Sequence, residues 1–205
     1  MIAITVSTNY HDILPIVYHY NKDYFKHWVF VTDKNDNETI KFLSDKPNVT
    51  VLYWNFKNER RLFDKGGAIR HAQYFVYDRF PDEWYLLIDS DICLPPTFNL
   101  LESNLTGLDT ETIYGLVERF DFESLSDLRI LNNYKIYDNN NFPLGYFQLY
   151  KKRLFYENSY NASRCDGDFA LRFSKQIMIS GISCAHLGNK SHWNGDRRPS
   201  SDFNQ

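Results

Sequence analysis

Through the first half of the chain apolar residues fall in short unbroken runs separated by polar turns, the pattern of strands buried on both faces. Runs at 2–7, 28–32, 49–54 and 84–88 predict four strands. The segment 13–20 predicts a helix, and Asp36 or Asn37 can cap another that runs to about Leu43. Over 67–77, Ala68, Ala72, Phe75 and Val76 gather near one helical face. This alternation predicts an α/β fold with a mostly parallel central sheet and helices on both faces. Ligands of such sheets sit beyond the carboxyl ends of the strands, where Thr8, Asp33, Asp89 and Asp91 fall. The second half is less regular. It predicts strands at 113–117 and 146–150, a helix at 167–174, one or two strands over 177–186, a polar loop at 138–141 and a frayed tail at 196–205.

The run from Trp84 to Ile88 ends on Asp89, Ser90 and Asp91. A strand alternates its faces, so Asp89 and Asp91 are expected to point together and Ser90 away. Two like charges at the end of a buried strand repel and resist desolvation, so the pair needs a cation or a dense set of donors to stay ionised. A divalent metal with oxygen ligands is the simplest such partner. The plainer alternative is a turn that uses Asp as a turn residue, helped by Pro95 and Pro96.

The chain has 205 residues, enough for one sizeable core, and neither an internal repeat nor a linker divides it. Hydrophobic residues make up 43 % and charged residues 24 %, as in ordinary soluble domains. Fifteen Tyr, sixteen Phe and four Trp raise the aromatic share to 17 %, which fits a Tyr-rich core and also a stacking surface for bases or sugars. A net charge of −3 with dispersed Lys and Arg gives no electrostatic case for a nucleic-acid partner. The chain enters directly into a strand, with neither a basic leader nor an apolar stretch long enough for a signal peptide or membrane span. Cys93, Cys165 and Cys184 are widely spaced and fit a reducing compartment, so a cytoplasmic location is expected.

Three further segments carry chemistry. Segment 64–72 sets Gly66 and Gly67 at a helix start between Lys65 and Arg70, and exposed amides there would favour an anion, though a plain turn explains two glycines equally well. Segment 164–173 puts Asp166 and Asp168 just before an amphipathic helix. One carboxylate can cap that helix and the other can act as a general base toward a hydroxyl within reach. Segment 184–196 packs His186, Lys190, His192 and Trp193 after a strand. Imidazole can complete a metal site begun by a carboxylate, and a nearby Lys can balance diphosphate charge.

With these residues in place, the chain resembles the GT-A superfamily of nucleotide-sugar glycosyltransferases, with small enzymes encoded by large DNA viruses as the nearest kind. The run 86–91 is similar to the family's Asp-x-Asp motif, which implies Asp91 as metal ligand and Asp89 on ribose or sugar, with a possible share in the metal site; Ser90 is counted with the donor-binding positions. Segment 65–70 is similar to a donor-binding element that contributes Lys65, Gly67 and Arg70, and 30–33 resembles the strand end where Asp33 meets the nucleobase. Segment 166–172 is similar to the acidic motif of inverting members, implying Asp166 as base and a structural role for Asp168. Segment 186–190, followed by Trp193, is similar to the His-x-Gly-x-Lys element of some members, in which His186 would bind metal and Lys190 diphosphate. Cys165 stands where an acidic residue is common, and the His-x-Gly-x-Lys element is best known from retaining enzymes.

The resemblance implies one GT-A domain over 1–205, with a nucleotide-binding half at about 1–95, an acceptor-binding half at about 96–195 and a tail beyond. It implies Mn2+ or Mg2+ held by Asp91 and His186, a UDP-type donor, a glycan or glycoconjugate acceptor and, for a viral protein, the host cytoplasm. Lys190 and Arg70 would add positive charge at the leaving diphosphate, and Gln148 would touch the sugar. Asp166 would take the acceptor proton in a single displacement with inversion. A sugar-nucleotide nucleotidyltransferase, an aspartate-nucleophile phosphatase and a non-catalytic carbohydrate-binding module are the alternatives. The first would carry a Gly-rich loop after the first strand, where this chain has Ser7, Thr8, Asn9 and Tyr10. The second would have Thr or Val where Cys93 stands, and the third would not need the carboxylates.

Overall fold

The structure, a computed structural model, describes residues 1–138 and 142–187. The elements run β1 (Ile2–Val6), α1 (Leu14–Asn21), β2 (His27–Thr32), α2 (Asn37–Leu43), β3 (Val49–Tyr53), α3 (Lys65–Arg79), β4 (Tyr85–Ile88), β5 (Ile92–Cys93), α4 (Phe98–Ser103), β6 (Thr112–Phe122), α5 (Leu125–Ile130), β7 (Lys135–Asp138), β8 (Phe147–Tyr150), α6 (Cys165–Ala170) and β9 (Lys175–Leu187).

Among the described residues nine strands form one sheet in the order β3-β2-β1-β4-β8-β6-β9-β5, with β7 against β6. The first four are mutually parallel, as the alternation predicts. From β4 onward the sheet is mixed: β8 is antiparallel to both neighbours, β6 and β9 are parallel, and β5 and β7 pair antiparallel. Successive residues of the parallel strands alternate between two cores. Ala3, Trp28, Phe30, Leu86 and Ile88 face one cluster, with Leu14, Leu43, Phe98 and Leu128 from α1, α2, α4 and α5. Ile2, Ile4, Val29, Val31, Tyr85 and Leu87 face the other, with Ala68, Ala72 and Val76 of α3 and Phe169 of α6. Covering both faces is what makes these strands continuous apolar runs in the sequence.

Local signals set the helix starts. Asp36 caps α2 by accepting from Thr39 N, and its Oδ2 also accepts from Asn9 N at 2.8 Å, which ties the loop after β1 to the end of β2. Asp64 caps α3 through Gly67 N at 2.9 Å. In α6, by contrast, the N-cap is Arg164 and no side chain caps the helix, so neither Asp166 nor Asp168 is spent as a cap. The helix is also shorter than predicted, ending at Ala170. The segment 177–186 belongs to one long strand, β9. Among the described residues no helix is long and apolar enough to cross a membrane.

Candidate active site

Beyond the carboxyl ends of the parallel strands lies a cleft of about 620 Å³, lined by Thr8, Lys65, Asp89, Ser90, Asp91, Arg119, Gly145, Asp166, Asp168 and His186 among others. Asp89 and Asp91 share it for a different reason from the strand pleat. β4 stops at Ile88, and the chain turns through Asp89–Asp91 with Ile92 N bonded to Asp89 O. β5 then pairs Ile92 with His186, and Leu187 N bonds Asp91 O at 2.8 Å. This two-residue strand carries the C-terminal histidine to the acidic turn.

Two linked charge clusters result. Lys65 Nζ lies 2.9 Å from Asp89 Oδ1 and 3.2 Å from Asp166 Oδ2. Burial opposes the ammonium, but Asp166 and Asp89 outweigh it and hold Lys65 well above the ordinary lysine range. Asp89 is pushed up to about 6, first by burial and, against the pull of Lys65, by Asp91 and Asp166. On the other side of the cleft, His186 Nε2 lies 3.4 Å from Asp91 Oδ2 and Nδ1 lies 3.0 Å from Asp121 Oδ1. Burial disfavours its charge, yet Asp91 and Asp121 raise it to about 9. Asp91 and Asp121 are held below their usual range despite burial, chiefly by His186 with help from Arg119.

Asp91 Oδ1 is buried and has no hydrogen-bond partner among the described residues, and an imidazole nitrogen stands beside the same carboxylate. A buried carboxylate oxygen without a donor is costly, and a cation would satisfy it. Carboxylate oxygen suits Mn2+ and Mg2+ alike, while an adjacent imidazole favours a transition-metal ion over Mg2+. Among the described residues no three His, Cys, Asp or Glu side chains form a complete site by themselves, so beyond these residues a bound ion would take ligands such as substrate oxygens or water.

Several expected residues sit elsewhere. Gly67 N is bonded to Asp64 and Gly66 N to Ser159 Oγ, so these amides are not free to cradle an anion. The glycines serve close approach: a Cβ on Gly66 would stand 2.0 Å from Glu157 O, and one on Gly67 2.3 Å from Asp64 Oδ2. Only Lys65 of that segment lines the cleft; Arg70 pairs with Asn158. Asp33 accepts from Asn35 N and Nδ2, both at 2.9 Å, and does not line the cleft. Gln148 is fully buried beneath the floor, with both ends of its amide engaged by protein, which removes it as a sugar contact. Thr8 lines the cleft with a buried hydroxyl that has no partner among the described residues. Lys190, His192 and Trp193 lie outside the described residues.

Sequence reasoning missed Asp121, Arg119 and Tyr156. Asp121 and Arg119 are two apart on β6 and joined at 2.9 Å. The strand predicted at 113–117 stops before them, whereas β6 continues to Phe122 past a register shift between Leu116 and Glu118. Tyr156 donates toward Asp166 Oδ1 at 3.1 Å from a segment with no strand or helix.

No protein-family model matches the chain, and no curated protein matches its sequence. Among solved structures, the crystal structure of GalNAc-T7 with UDP, GalNAc and Mn2+ matches with a TM-score of 0.56 and 12 % identity, over 98 % of this chain and 46 % of that one. The chain thus spans about half the length of that protein. HddC from Yersinia pseudotuberculosis gives a TM-score of 0.45 at 13 % identity over 91 % of this chain and 89 % of its own. With the strand order and the cleft at the strand ends, the likeness to GalNAc-T7 establishes that this chain has a GT-A-like glycosyltransferase fold.

Proposed function

We propose that the chain is a metal-dependent glycosyltransferase that moves a sugar from a nucleoside-diphosphate donor, of the UDP type, to a hydroxyl of a glycan or glycoconjugate with inversion. The observation that carries this reading is the buried Asp91 Oδ1, without a partner among the described residues, beside His186 in a cleft that also holds Asp89, Lys65 and Asp166. The UDP, GalNAc and Mn2+ bound by GalNAc-T7 support the donor class and the ion.

Asp91 and His186 would hold the Mn2+ or Mg2+. When bound, the cation supplies positive charge where the departing diphosphate becomes more negative. Asp89, oriented by Lys65, accepts from a ribose or sugar hydroxyl, while Thr8 and Ser90 face the donor from neighbouring strand ends. The diphosphate roles assigned to Lys190 and Trp193 rest on the sequence resemblance, since both lie outside the described residues. Asp166 accepts the proton of the attacking hydroxyl: Lys65 bonds Oδ2, while Tyr156 and the weak Cys165 thiol approach Oδ1, which leaves lone-pair capacity for a substrate. One displacement at the anomeric carbon with this base gives inversion. The nucleotide-binding half is assigned to about 1–95 and the acceptor half to about 96–195.

The test is a panel of nucleotide sugars with and without Mn2+, scored by thermal shift and by donor hydrolysis. A Mn2+-dependent response to one UDP-sugar, lost in Asp91→Ala, is the expected result. No metal-dependent response to any donor would sink the reading. Asp166→Asn should keep donor binding and lose transfer; normal transfer in that variant would remove Asp166 as the base.

A further inference from the structure

The amide of Gln148 has only one possible orientation. Its Nε2 donates to Pro143 O at 2.9 Å and to the backbone carbonyl of Asp166 at 3.0 Å, and both partners can only accept. Oε1 therefore faces Tyr156 and can only accept from its hydroxyl. The same hydroxyl lies 3.1 Å from Asp166 Oδ1. Tyr156 has one proton and two acceptors. While Asp166 is a carboxylate, either Gln148 Oε1 goes without that proton and is left unpaired, or Asp166 Oδ1 keeps only the weak Cys165 thiol donor at 3.7 Å, and an under-satisfied buried acceptor is costly. Once Oδ1 carries a proton the conflict disappears: Asp166 O–H donates to Tyr156 Oη, and Tyr156 O–H donates to Gln148.

We propose that Tyr156 and Gln148 are positioning residues that prepare Asp166 to hold a proton on Oδ1. The proposal rests on the reading of Asp166 as the base. In the transfer step the acceptor O–H bond breaks and its proton goes to Asp166 Oδ1. The freed oxygen electron pair forms the bond to the anomeric carbon, and the bond from that carbon to the diphosphate breaks with its electrons leaving on the diphosphate. Oδ2 is the poorer place for the proton because the Lys65 ammonium already occupies it.

The surroundings are consistent with this assignment. Burial, with Asp166 beside it, pushes the Tyr156 phenol well above its ordinary range, so it remains a donor. Its ring stacks on Phe169 at 4.1 Å between centroids, which fixes the hydroxyl in place. The other titratable groups facing Asp166 are Lys65 from α3, Asp89 through that lysine, and the Cys165 thiol at 3.7 Å on its own helix. None of them replaces the Gln148 acceptor.

The test uses protein labelled with 13C at aspartate carboxyls and tyrosine Cζ, without donor, and assigns the signals with Asp166→Asn and Tyr156→Phe. In the unsubstituted protein the Tyr156 signal should titrate together with Asp166, because its hydroxyl changes acceptor. In Gln148→Met the competing acceptor is gone, the hydroxyl turns to the carboxylate, and Asp166 should bind its proton roughly tenfold less tightly. In a Tyr156→Phe background the same substitution should change nothing. A Tyr156 signal that stays constant through the Asp166 titration overturns the proposal, and this titration is read in the unsubstituted protein. So does an equal effect of Gln148→Met in both backgrounds. Transfer by Asp166→Asn is read separately: if it persists, the base assignment fails while the titration result stands.

Discussion

His186 Nδ1 lies 3.0 Å from Asp121 Oδ1, and the two residues are register partners on adjacent parallel strands. Arg119 holds the same carboxylate at 2.9 Å, so one nitrogen of the ring is fixed and Nε2 faces Asp91. A carboxylate on the far nitrogen of a liganding histidine sets its tautomer and orientation. Asp121→Ala should weaken Mn2+ binding by about 10- to 100-fold in calorimetry. Asp121→Asn, which keeps an acceptor oxygen, should recover part of the loss. Unchanged affinity in the alanine variant would end this role for Asp121.

Gly145 leaves room for the Asp166 carboxylate. A Cβ at position 145 would stand 1.9 Å from Asp166 Oδ2 and 2.1 Å from its Cγ. Gly145→Ala should therefore push the carboxylate out of place while costing about 1–3 kcal/mol of stability, the usual penalty of overpacking. The variant should still show the donor-induced thermal shift of the parent and lose at least tenfold in the rate of transfer. Transfer at the parent rate would mean that Asp166 can move without consequence.

Lys65 is the counter-charge for two carboxylates. Removing one partner of a largely buried ionic cluster leaves the others uncompensated, at about 3–5 kcal/mol when burial is complete. The Asp89 side chain is 35 % exposed, so solvent screens part of this cost. Lys65→Met, which keeps the aliphatic stem, should lose about 2–3 kcal/mol in urea unfolding at neutral pH. A variant as stable as the parent would show that the cluster contributes organisation of the site and no net stability.

What the sequence made legible followed from local rules. The parallel half could be read because β1, β2 and β4 are buried on both faces and the starts of α2 and α3 are marked by Asp36 and Asp64. The acidic turn was legible because Asp89 and Asp91 interrupt an apolar run, although their common direction comes from the turn after β4. Residues whose role depends on distant pairing could not be read. Asp121 matters because β6 lies beside β9, and Gln148 matters because Tyr156 and Asp166 fold over it. α4, α5 and β7 are too short for a periodic pattern, and β7 is exposed along its whole length. The two glycines at 66 and 67 looked like an anion cradle because sequence shows their flexibility and not the backbone and side-chain atoms packed against them.

His27 makes stability depend on pH away from the cleft. It opens β2, with Nε2 2.9 Å from Thr50 Oγ1 and its ring 5.2 Å from that of Phe80. Burial, and then Arg79, hold it below its ordinary value of 6.5. The unfolded chain therefore binds this proton more readily than the folded one. The stability associated with neutral His27 is fully present above pH 6.5 and is lost as pH falls through the folded-state value. His186 and Asp89, both raised in the folded state, add stability as pH falls, so the His27 loss is read as a difference: from about pH 7.5 to about pH 5.5 the urea midpoint of the parent should change less favourably than that of His27→Gln, which can still bond Thr50 without titrating. If both proteins change by the same amount, His27 carries no pH dependence; Glu83, whose pairing with Lys26 and the N-terminus holds it below its ordinary range against burial, gives way only at lower pH.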